Sequence, residues 1–255
     1  MRQTKAVEAI VHSLKEDNLV EAVFLKGSMA RGEEDENSDV DLYVLVEEEN
    51  KAAFLQNRKK HLESYQSIIF YDDIFIIAPQ IIVVYENLLH VDLFTVTEKT
   101  LVHKDYFKVL YDPARRMDRF QDHQNLWLSQ KDFHYAVEDV AFFLLQYKKA
   151  ADRGNDFWAV KVANDLGINI AKVLLQRYCP ERAQLGLKTI DRTLPVEVVE
   201  QMRIVYRHLS AKEHPKAVYS MALIIQDHII WLSSQFEKEK YTIPFLKRML
   251  NEMIN

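Results

Sequence analysis

The sequence predicts an α+β fold in which an N-terminal mixed sheet with flanking helices precedes a C-terminal all-helical bundle. Up to about residue 115, short β-branched and aromatic runs alternate with turn residues, which is the pattern of strands. Beyond about residue 117, long segments with apolar residues at helical spacing take over, and glycine or proline separates them. We therefore expect one domain over residues 1–118 and a second over residues 119–255.

The elements of the first domain follow from the periodicity of apolar residues. Apolar side chains recur on one helical face of residues 3–17, and residues 54–66 fit a second helix. Alternating or β-branched runs predict strands at residues 21–26, 40–46, 67–79, 80–86, 88–97 and 107–114. In the second domain, helical spacing predicts helices at residues 131–152, 156–177, 195–210, 215–238 and 243–254.

Composition and charge restrict the function. The net charge of −5 argues against general binding to nucleic acid, which favours a strongly basic surface. No apolar run reaches the roughly 20 residues of a membrane span, and charges interrupt the apolar residues of the N-terminus. The single cysteine, Cys179, suits a reducing compartment. We expect a cytoplasmic protein that does not associate with membranes.

The stretch "FLKGSMARGEEDENSDVDLYVLV", residues 24–46, contains the residues best suited to chemistry. Gly27 and Ser28 follow a predicted strand at a sharp turn, where glycine lets the backbone approach a ligand closely. Backbone N–H groups and the Ser28 hydroxyl at such a turn can bind phosphate oxygens, and Arg31 adds a nearby cation. Phosphate is therefore the predicted ligand of this turn.

Asp39 and Asp41 lie two residues apart at the start of a predicted strand, so their side chains point to the same side. Two carboxylates on one side suit one or two Mg²⁺ ions. In "HVDLFTV", residues 90–96, Asp92 interrupts another apolar strand, and His90 and Phe94 share its face. If this strand pairs with the strand of Asp41, Asp92 completes a cluster of three carboxylates.

Each acid also has a plain structural interpretation. Residues 33–36 are best explained as a solvated acidic loop. Asp39 and Asp41 suit turns and caps, and Asp92 could discourage edge-to-edge strand pairing. However, Gly-Ser followed ten residues later by Asp-x-Asp should occur on the order of once in a thousand shuffled chains of this composition. Its strand–turn–strand context favours the ligand-binding interpretation.

The segment "GSMARGEEDENSDVDL" resembles the Gly-Ser…Asp-x-Asp signature of the nucleotidyltransferase superfamily, which shares its fold with DNA polymerase beta. The segment "HVDLF" resembles the third acidic strand of that superfamily. The resemblance covers roughly residues 20–115. A mixed domain followed by a helical bundle is also similar to the aminoglycoside and lincosamide nucleotidyltransferases.

The resemblance implies transfer of a nucleoside monophosphate from an NTP, with ATP as first choice, to a hydroxyl group, with release of pyrophosphate. Two Mg²⁺ ions would bridge the carboxylates and the triphosphate. The implied metal ligands and catalytic residues are Asp39, Asp41 and Asp92, and Asp92 either binds metal or accepts the proton of the acceptor. Gly27, Ser28 and Arg31 would bind the phosphates.

The acceptor stays open at this stage. The first hypothesis is a small hydroxyl-bearing molecule, possibly an aminoglycoside- or lincosamide-like compound, which would make the chain a candidate for antibiotic resistance. A rival is the same chemistry on a protein, as in toxin–antitoxin nucleotidyltransferases. A third possibility is a non-catalytic nucleotide-binding or interaction protein. A homodimer is plausible in each case.

The helical domain is predicted to select the acceptor, to dimerise, or both. Within the helix over residues 156–177, Lys161, Asp165 and Lys172 form a polar stripe that is either a solvated face or a contact surface for triphosphate and a cationic acceptor. Asp139 is either a second-domain base or an acid that favours the start of its helix.

Overall fold

The structure, a computed structural model, describes residues 1–102, 104–236 and 240–255. These residues divide into two compact units, Met1–Asn125 and Leu126–Asn255.

The first unit contains four helices and six strands among its described residues. The helices are α1 (Arg2–Lys15), α2 (Gly27–Arg31), α3 (Lys51–Asn57) and α4 (Lys59–Leu62). The strands are β1 (Val20–Leu25), β2 (Val40–Val46), β3 (Ile68–Phe75), β4 (Pro79–Tyr85), β5 (His90–Val96) and β6 (Lys108–Tyr111). A 3-10 helix, Arg116–His123, follows β6.

The strands form one six-stranded sheet in the order β3-β4-β5-β2-β1-β6. Only β2 and β5 pair in parallel, and every other neighbouring pair is antiparallel. In the parallel pair, Asp41 lies opposite Asp92. The mixed sheet and the predicted pairing of the two acidic strands are therefore confirmed.

Both faces of the sheet are covered by apolar side chains. On one face, Val40, Leu42 and Val44 of β2 join the core that α1 closes with Ile10 and Leu14. The other face carries a smaller apolar cluster built on an aromatic row. Tyr43 stacks on Phe94 at 4.4 Å and on Phe24 at 5.3 Å between ring centroids, and residues 101, 107, 117 and 120 complete the cluster.

Thr95 breaks the apolar alternation of β5 because it bonds a buried cation. Its Oγ1 lies 3.2 Å from Nη1 of Arg58, which is 1% exposed. The Arg58 guanidinium also contacts Asp73 of β3 at 2.6 Å. Arg58 lies where the single helix predicted over residues 54–66 is instead divided into α3 and α4.

The second unit is helical. Its helices are α5 (Gln130–Asp152), α6 (Asp156–Tyr178), α7 (Ile190–Thr193), α8 (Val196–His208), α9 (His214–Gln235) and α10 (Thr242–Ile254). Side chains of Ser129 and Asn155 cap α5 and α6 by accepting backbone N–H groups. No helix within the described ranges is long and apolar enough to cross a membrane.

The five predicted helices of this half are present, and two short elements were not predicted. These are α7 and the 3-10 helix Pro180–Lys188, which are too short to show a periodicity in the sequence. Residues 237 and 238, at the end of the helix predicted over residues 215–238, lie outside the described residues.

Candidate active site

Asp41 and Asp92 lie side by side on the sheet face that carries the aromatic row. The two residues are Cα partners in the parallel pairing of β2 with β5. Their neighbours along the strands, Val40, Leu42 and Val91, are fully buried in the core of the opposite face. Because side chains alternate along a strand, this core fixes the two carboxylates on the other side. The predicted placement of Asp92 beside Asp41 is confirmed.

Asp39, His90 and Asp92 form a compact cluster at the start of the same two strands. One potential ligand atom from each lies within 4.8 Å of the other two. His90 Nε2 is 2.9 Å from Asp92 Oδ1, and His90 Nδ1 is 3.9 Å from Asp39 Oδ2. The hydrogen bond to Asp92 raises the pKa of His90, and the nearby carboxylate charges act in the same direction. The cluster thus has an imidazole between two acids.

Gly27 provides the space in which the Asp41 carboxylate lies. A Cβ placed on Gly27 would be 2.0 Å from Asp41 Oδ2, and the backbone φ of Gly27 is +64°. Both facts require glycine. The sequence predicts that Gly27 allows phosphate to approach the backbone. In the structure, the absence of a side chain on Gly27 also leaves room for the Asp41 carboxylate.

Lys26 places a buried cation beside these acids. It is 4% exposed, and its Nζ lies 5.1 Å from the centre of the Tyr43 ring. Burial lowers the pKa of the Lys26 ammonium to about 8, although the charges of Asp105 and Asp41 act in the opposite direction. Lys26 was not among the predicted site residues, although a lysine at the end of an apolar strand directly before Gly-Ser is a signal that the sequence contains.

Arg31, predicted to bind phosphate, contacts two carboxylates. Its Nε is 2.9 Å from Glu33 Oε2, and its Nη1 is 3.1 Å from Asp105 Oδ1. Phosphate binding by Arg31 therefore requires exchange of these partners. Glu33 is exposed, as expected for the solvated acidic loop, and its carboxylate also pairs with Arg31. Ser28 is partly exposed in the first turn of α2.

The loop between α2 and β2 is fastened to α1 through its backbone. Nε2 of Gln3, a fully buried residue, lies within 3.2 Å of the carbonyl oxygens of Asp35, Glu36 and Ser38. The Asp35 carboxylate accepts a hydrogen bond from the Asn37 N–H. The loop that leads into Asp39 thus has a defined course.

The donor set of the cluster suits a divalent metal. Two carboxylates and one imidazole converge at the sheet edge, and each of these groups is a common metal ligand. Asp41, which we predicted as a ligand, is outside this group of three, and its carboxylate lies against Gly27 instead. His90, which was noted only as sharing the Asp92 face, is within it.

The candidate residues of the helical unit include an ion pair and two acids that border a cavity. Lys161 Nζ contacts Asp165 Oδ2 at 2.5 Å, which pairs two members of the predicted polar stripe. Asp139 is exposed in α5, and partial desolvation raises its pKa against the opposing charge of Lys172. Glu138 and Asp139 border a cavity of about 410 Å³ with apolar walls, which Ala141, Phe142, Tyr241, Thr242 and Phe245 also line.

The family model for the nucleotidyltransferase domain matches residues 7–108. The matched range contains Gly27, Ser28 and the three predicted acids. No curated protein matches this chain.

Three solved structures are among those similar to this chain. An aminoglycoside 6-adenyltransferase from Bacillus subtilis has a TM-score of 0.41 and 12% identity, covering 99% of this chain and 98% of that one. A nucleotidyltransferase-like protein from Exiguobacterium sibiricum has a TM-score of 0.41 and 12% identity, with 98% and 88% covered. A spectinomycin adenyltransferase from Enterococcus faecialis has a TM-score of 0.35 and 12% identity, with 99% and 98% covered. These scores are low, and the assignment of the domain depends on the family model.

Proposed function

We propose, from the match of residues 7–108 to the family model for the nucleotidyltransferase domain, that the chain transfers a nucleoside monophosphate from an NTP, ATP first, to a hydroxyl group of a small molecule. Pyrophosphate would be released. The observation that carries this proposal is the convergence of Asp39, His90 and Asp92 within 4.8 Å, next to Asp41 in the adjoining strand. An isolated group of acids would repel a triphosphate, so this site requires a cation.

The metal of the proposal is Mg²⁺, which Asp39, Asp41 and Asp92 would bind. When bound, divalent metal neutralises the charge of the triphosphate and lowers the pKa of the acceptor hydroxyl. The carboxylate oxygens of this site are the donors that Mg²⁺ prefers. Asp92 is either a ligand or the acceptor of the hydroxyl proton. Its placement opposite Asp41 supports both roles.

Gly27 and Ser28 would bind the terminal phosphates, with Lys26 as a further positive charge. The nearly buried Lys26 ammonium is 5.1 Å from the Tyr43 ring and interacts with the charge of Asp41. It therefore offsets part of the negative charge of the site. Arg31 would join phosphate only by leaving Asp105 or Glu33.

The helical unit, Leu126–Asn255, is assigned the choice of acceptor in this proposal. Its cavity of about 410 Å³ has two acids, Glu138 and Asp139, beside the aromatic rings of Phe142 and Phe245. Carboxylates next to aromatic rings suit an amine-bearing molecule with apolar parts. This chemistry supports an aminoglycoside-like acceptor.

A homodimer through α9 is part of the proposal. Tyr219, Leu223 and Ile230 recur on one face of this helix, and Ile230 is 85% exposed. Apolar side chains at such spacing are typical of a helix face that packs against a partner. Light scattering of the purified chain measures its mass in solution.

The experiment that tests the proposed function is pyrophosphate release by the purified chain with Mg²⁺. Each of the four NTPs is combined in turn with aminoglycosides, lincosamides and other polyols, and mass spectrometry identifies the product. A nucleotide adduct on a small molecule supports the proposal. An adduct on a protein would replace it with protein modification, and a folded chain without any adduct or pyrophosphate would contradict it.

A further inference from the structure

We propose that His90 is itself a metal ligand, and that the position between His90 and Asp39 binds Mn²⁺ in preference to Mg²⁺, with Asp92 orienting the imidazole. This inference rests on the proposed function, and at this one position it replaces Mg²⁺ with Mn²⁺ as the preferred ion. It gives the imidazole of the cluster a direct bond to the metal, where the proposed function names only aspartates as ligands.

The hydrogen bond between His90 and Asp92 fixes which ring nitrogen is available. Nε2 of His90 lies 2.9 Å from Asp92 Oδ1. Because an ionised carboxylate only accepts hydrogen bonds, Nε2 is the donor, and in the neutral imidazole that a metal requires Nδ1 then keeps the lone pair. Metal-binding histidines commonly donate their second ring N–H to a carboxylate in this way. Asp92 thus orients the imidazole toward Asp39.

The separation of the two free donors fits one metal ion. Nδ1 of His90 is 3.9 Å from Asp39 Oδ2. Two ligands of one octahedral ion, each about 2.1 Å from the metal, lie between about 3.0 Å apart when adjacent and about 4.2 Å apart when opposite. The observed separation is slightly shorter than the opposite arrangement, so a small movement of the exposed side chains would allow both atoms to bind one ion. Asp92, whose Oδ1 lies 2.9 Å from Nε2, is on the other side of the ring and orients it.

Exposure and backbone position both favour entry of an ion. His90 is the first residue of β5 and its side chain is 39% exposed, and the Asp39 side chain is 48% exposed. The Asp92 side chain, at 11% exposed, lies deeper. The site therefore opens to solvent on the side of Nδ1, where an ion can keep water or phosphate oxygens as its other ligands.

The nitrogen donor decides the choice of metal. Imidazole suits first-row transition metals, whereas Mg²⁺ prefers oxygen ligands and loses its waters reluctantly. Mn²⁺ accepts carboxylate, phosphate and imidazole ligands in octahedral geometry, so the mixed donor set of this position favours it. A site formed by the three aspartates alone would not give this preference.

The test is pulsed electron paramagnetic resonance of Mn²⁺ bound to the full-length chain. We expect electron spin echo modulation from a directly coordinated ¹⁴N, and we expect it to vanish in His90→Gln. Calorimetry should show Mn²⁺ affinity reduced about tenfold or more in that variant, with Mg²⁺ affinity changed less. His12→Gln, at an exposed histidine of α1, is the matched control and should leave both readouts unchanged.

Absence of the ¹⁴N signal in the unsubstituted chain, failure of that chain to bind Mn²⁺, or persistence of the signal in His90→Gln would each overturn the inference. Its failure is distinct from failure of the proposed function. Nucleotidyl transfer without the ¹⁴N signal removes only the role of His90. A ¹⁴N signal without any transfer removes only the proposed reaction.

Discussion

The carboxylate of Asp41 occupies the position in which a side chain on Gly27 would begin. The distance from an ideal Gly27 Cβ to Asp41 Oδ2 is 2.0 Å, which no pair of such atoms tolerates. The conformations of Gly27 and Asp41 therefore depend on each other, although the two residues are 14 positions apart in the sequence.

Gly27→Ala should displace Asp41 and reduce nucleotidyl transfer by about 100-fold or more, because small misplacements of reacting groups are costly. Gly32→Ala is the matched control, since Gly32 also has a positive φ, +69°, but no atom lies within 4 Å of its virtual Cβ. Both variants should lose about 1–2 kcal/mol of unfolding free energy from backbone strain. Steady-state kinetics and denaturant unfolding measure the two effects. Equal activity in the two variants would contradict the role given to Gly27.

Asp39→Asn and Asp92→Asn should each reduce metal-dependent transfer by at least about 100-fold, because each removes a charge from the proposed metal cluster. Glu36→Gln removes one charge from the exposed loop before Asp39 and should change turnover less than about twofold. Turnover is measured at saturating metal, and circular dichroism checks the fold. Retained turnover in a folded Asp39→Asn variant would exclude Asp39 as a required ligand.

Lys26→Met should raise the KM for NTP about tenfold, since it removes a buried positive charge beside Asp41 while keeping an apolar side chain of similar length. Lys108→Met, at an exposed position of β6, is the control and should leave KM unchanged. Initial rates at varied NTP concentration measure the effect. An unchanged KM in Lys26→Met would show that Lys26 serves only the fold.

Stability of the first unit should fall as pH is lowered, because of a buried pair beneath α1. His61 Nε2 lies 3.0 Å from Asp17 Oδ2, and His61 is 1% exposed. Burial lowers the pKa of His61, so the unfolded chain takes up this proton first and stability declines as pH falls below about 6.5.

Burial alone would raise the pKa of Asp17, but hydrogen bonds from Leu19, Lys60 and His61 lower it overall. The stabilisation that ionised Asp17 contributes is therefore present above pH 3.8, and it is lost as pH falls through the lower pKa that Asp17 has in the folded chain.

Asp17→Asn should cost about 1–3 kcal/mol at pH 7, because it leaves the buried His61 without a charged partner. Glu16→Gln, the exposed neighbour, should cost less than about 0.5 kcal/mol. Denaturant unfolding between pH 4 and pH 8, with hydrogen exchange at α1 as the local probe, measures both. Stability that is independent of pH over this range would contradict the assignment.

The alternation of apolar residues over short segments predicted the strands and the placement of the acids well. The alternation of β2 fixed its bounds, Val40–Val46, and the apolar neighbours of Asp92 placed it on the face of Asp41. The alternation of apolar residues could not predict the roles of Lys26 and Asp105. Their proximity depends on how a loop distant in sequence packs at the end of β1, and no local periodicity records such a contact.

Some apparent irregularities in the sequence have a tertiary cause. Thr95 weakens the apolar pattern of β5, yet it bonds the buried guanidinium of Arg58. His228 is a second example, a histidine within the apolar helix α9. The histidine is buried and bonds Tyr178 and the Ile224 carbonyl, whereas Asp227 is exposed. Adjacent residues on a helix face different directions, which explains why Asp227 and His228 have different surroundings.

Gln3 has a consequence for the thermodynamics of ligand binding. Because its amide contacts the carbonyls of Asp35, Glu36 and Ser38, the backbone before Asp39 loses its conformational freedom when the chain folds. Capture of a cation or a nucleotide then requires little further ordering of this loop, so the entropy of binding is more favourable than it would be for a mobile loop. Affinity at the sheet edge thus depends in part on one amide of the first helix.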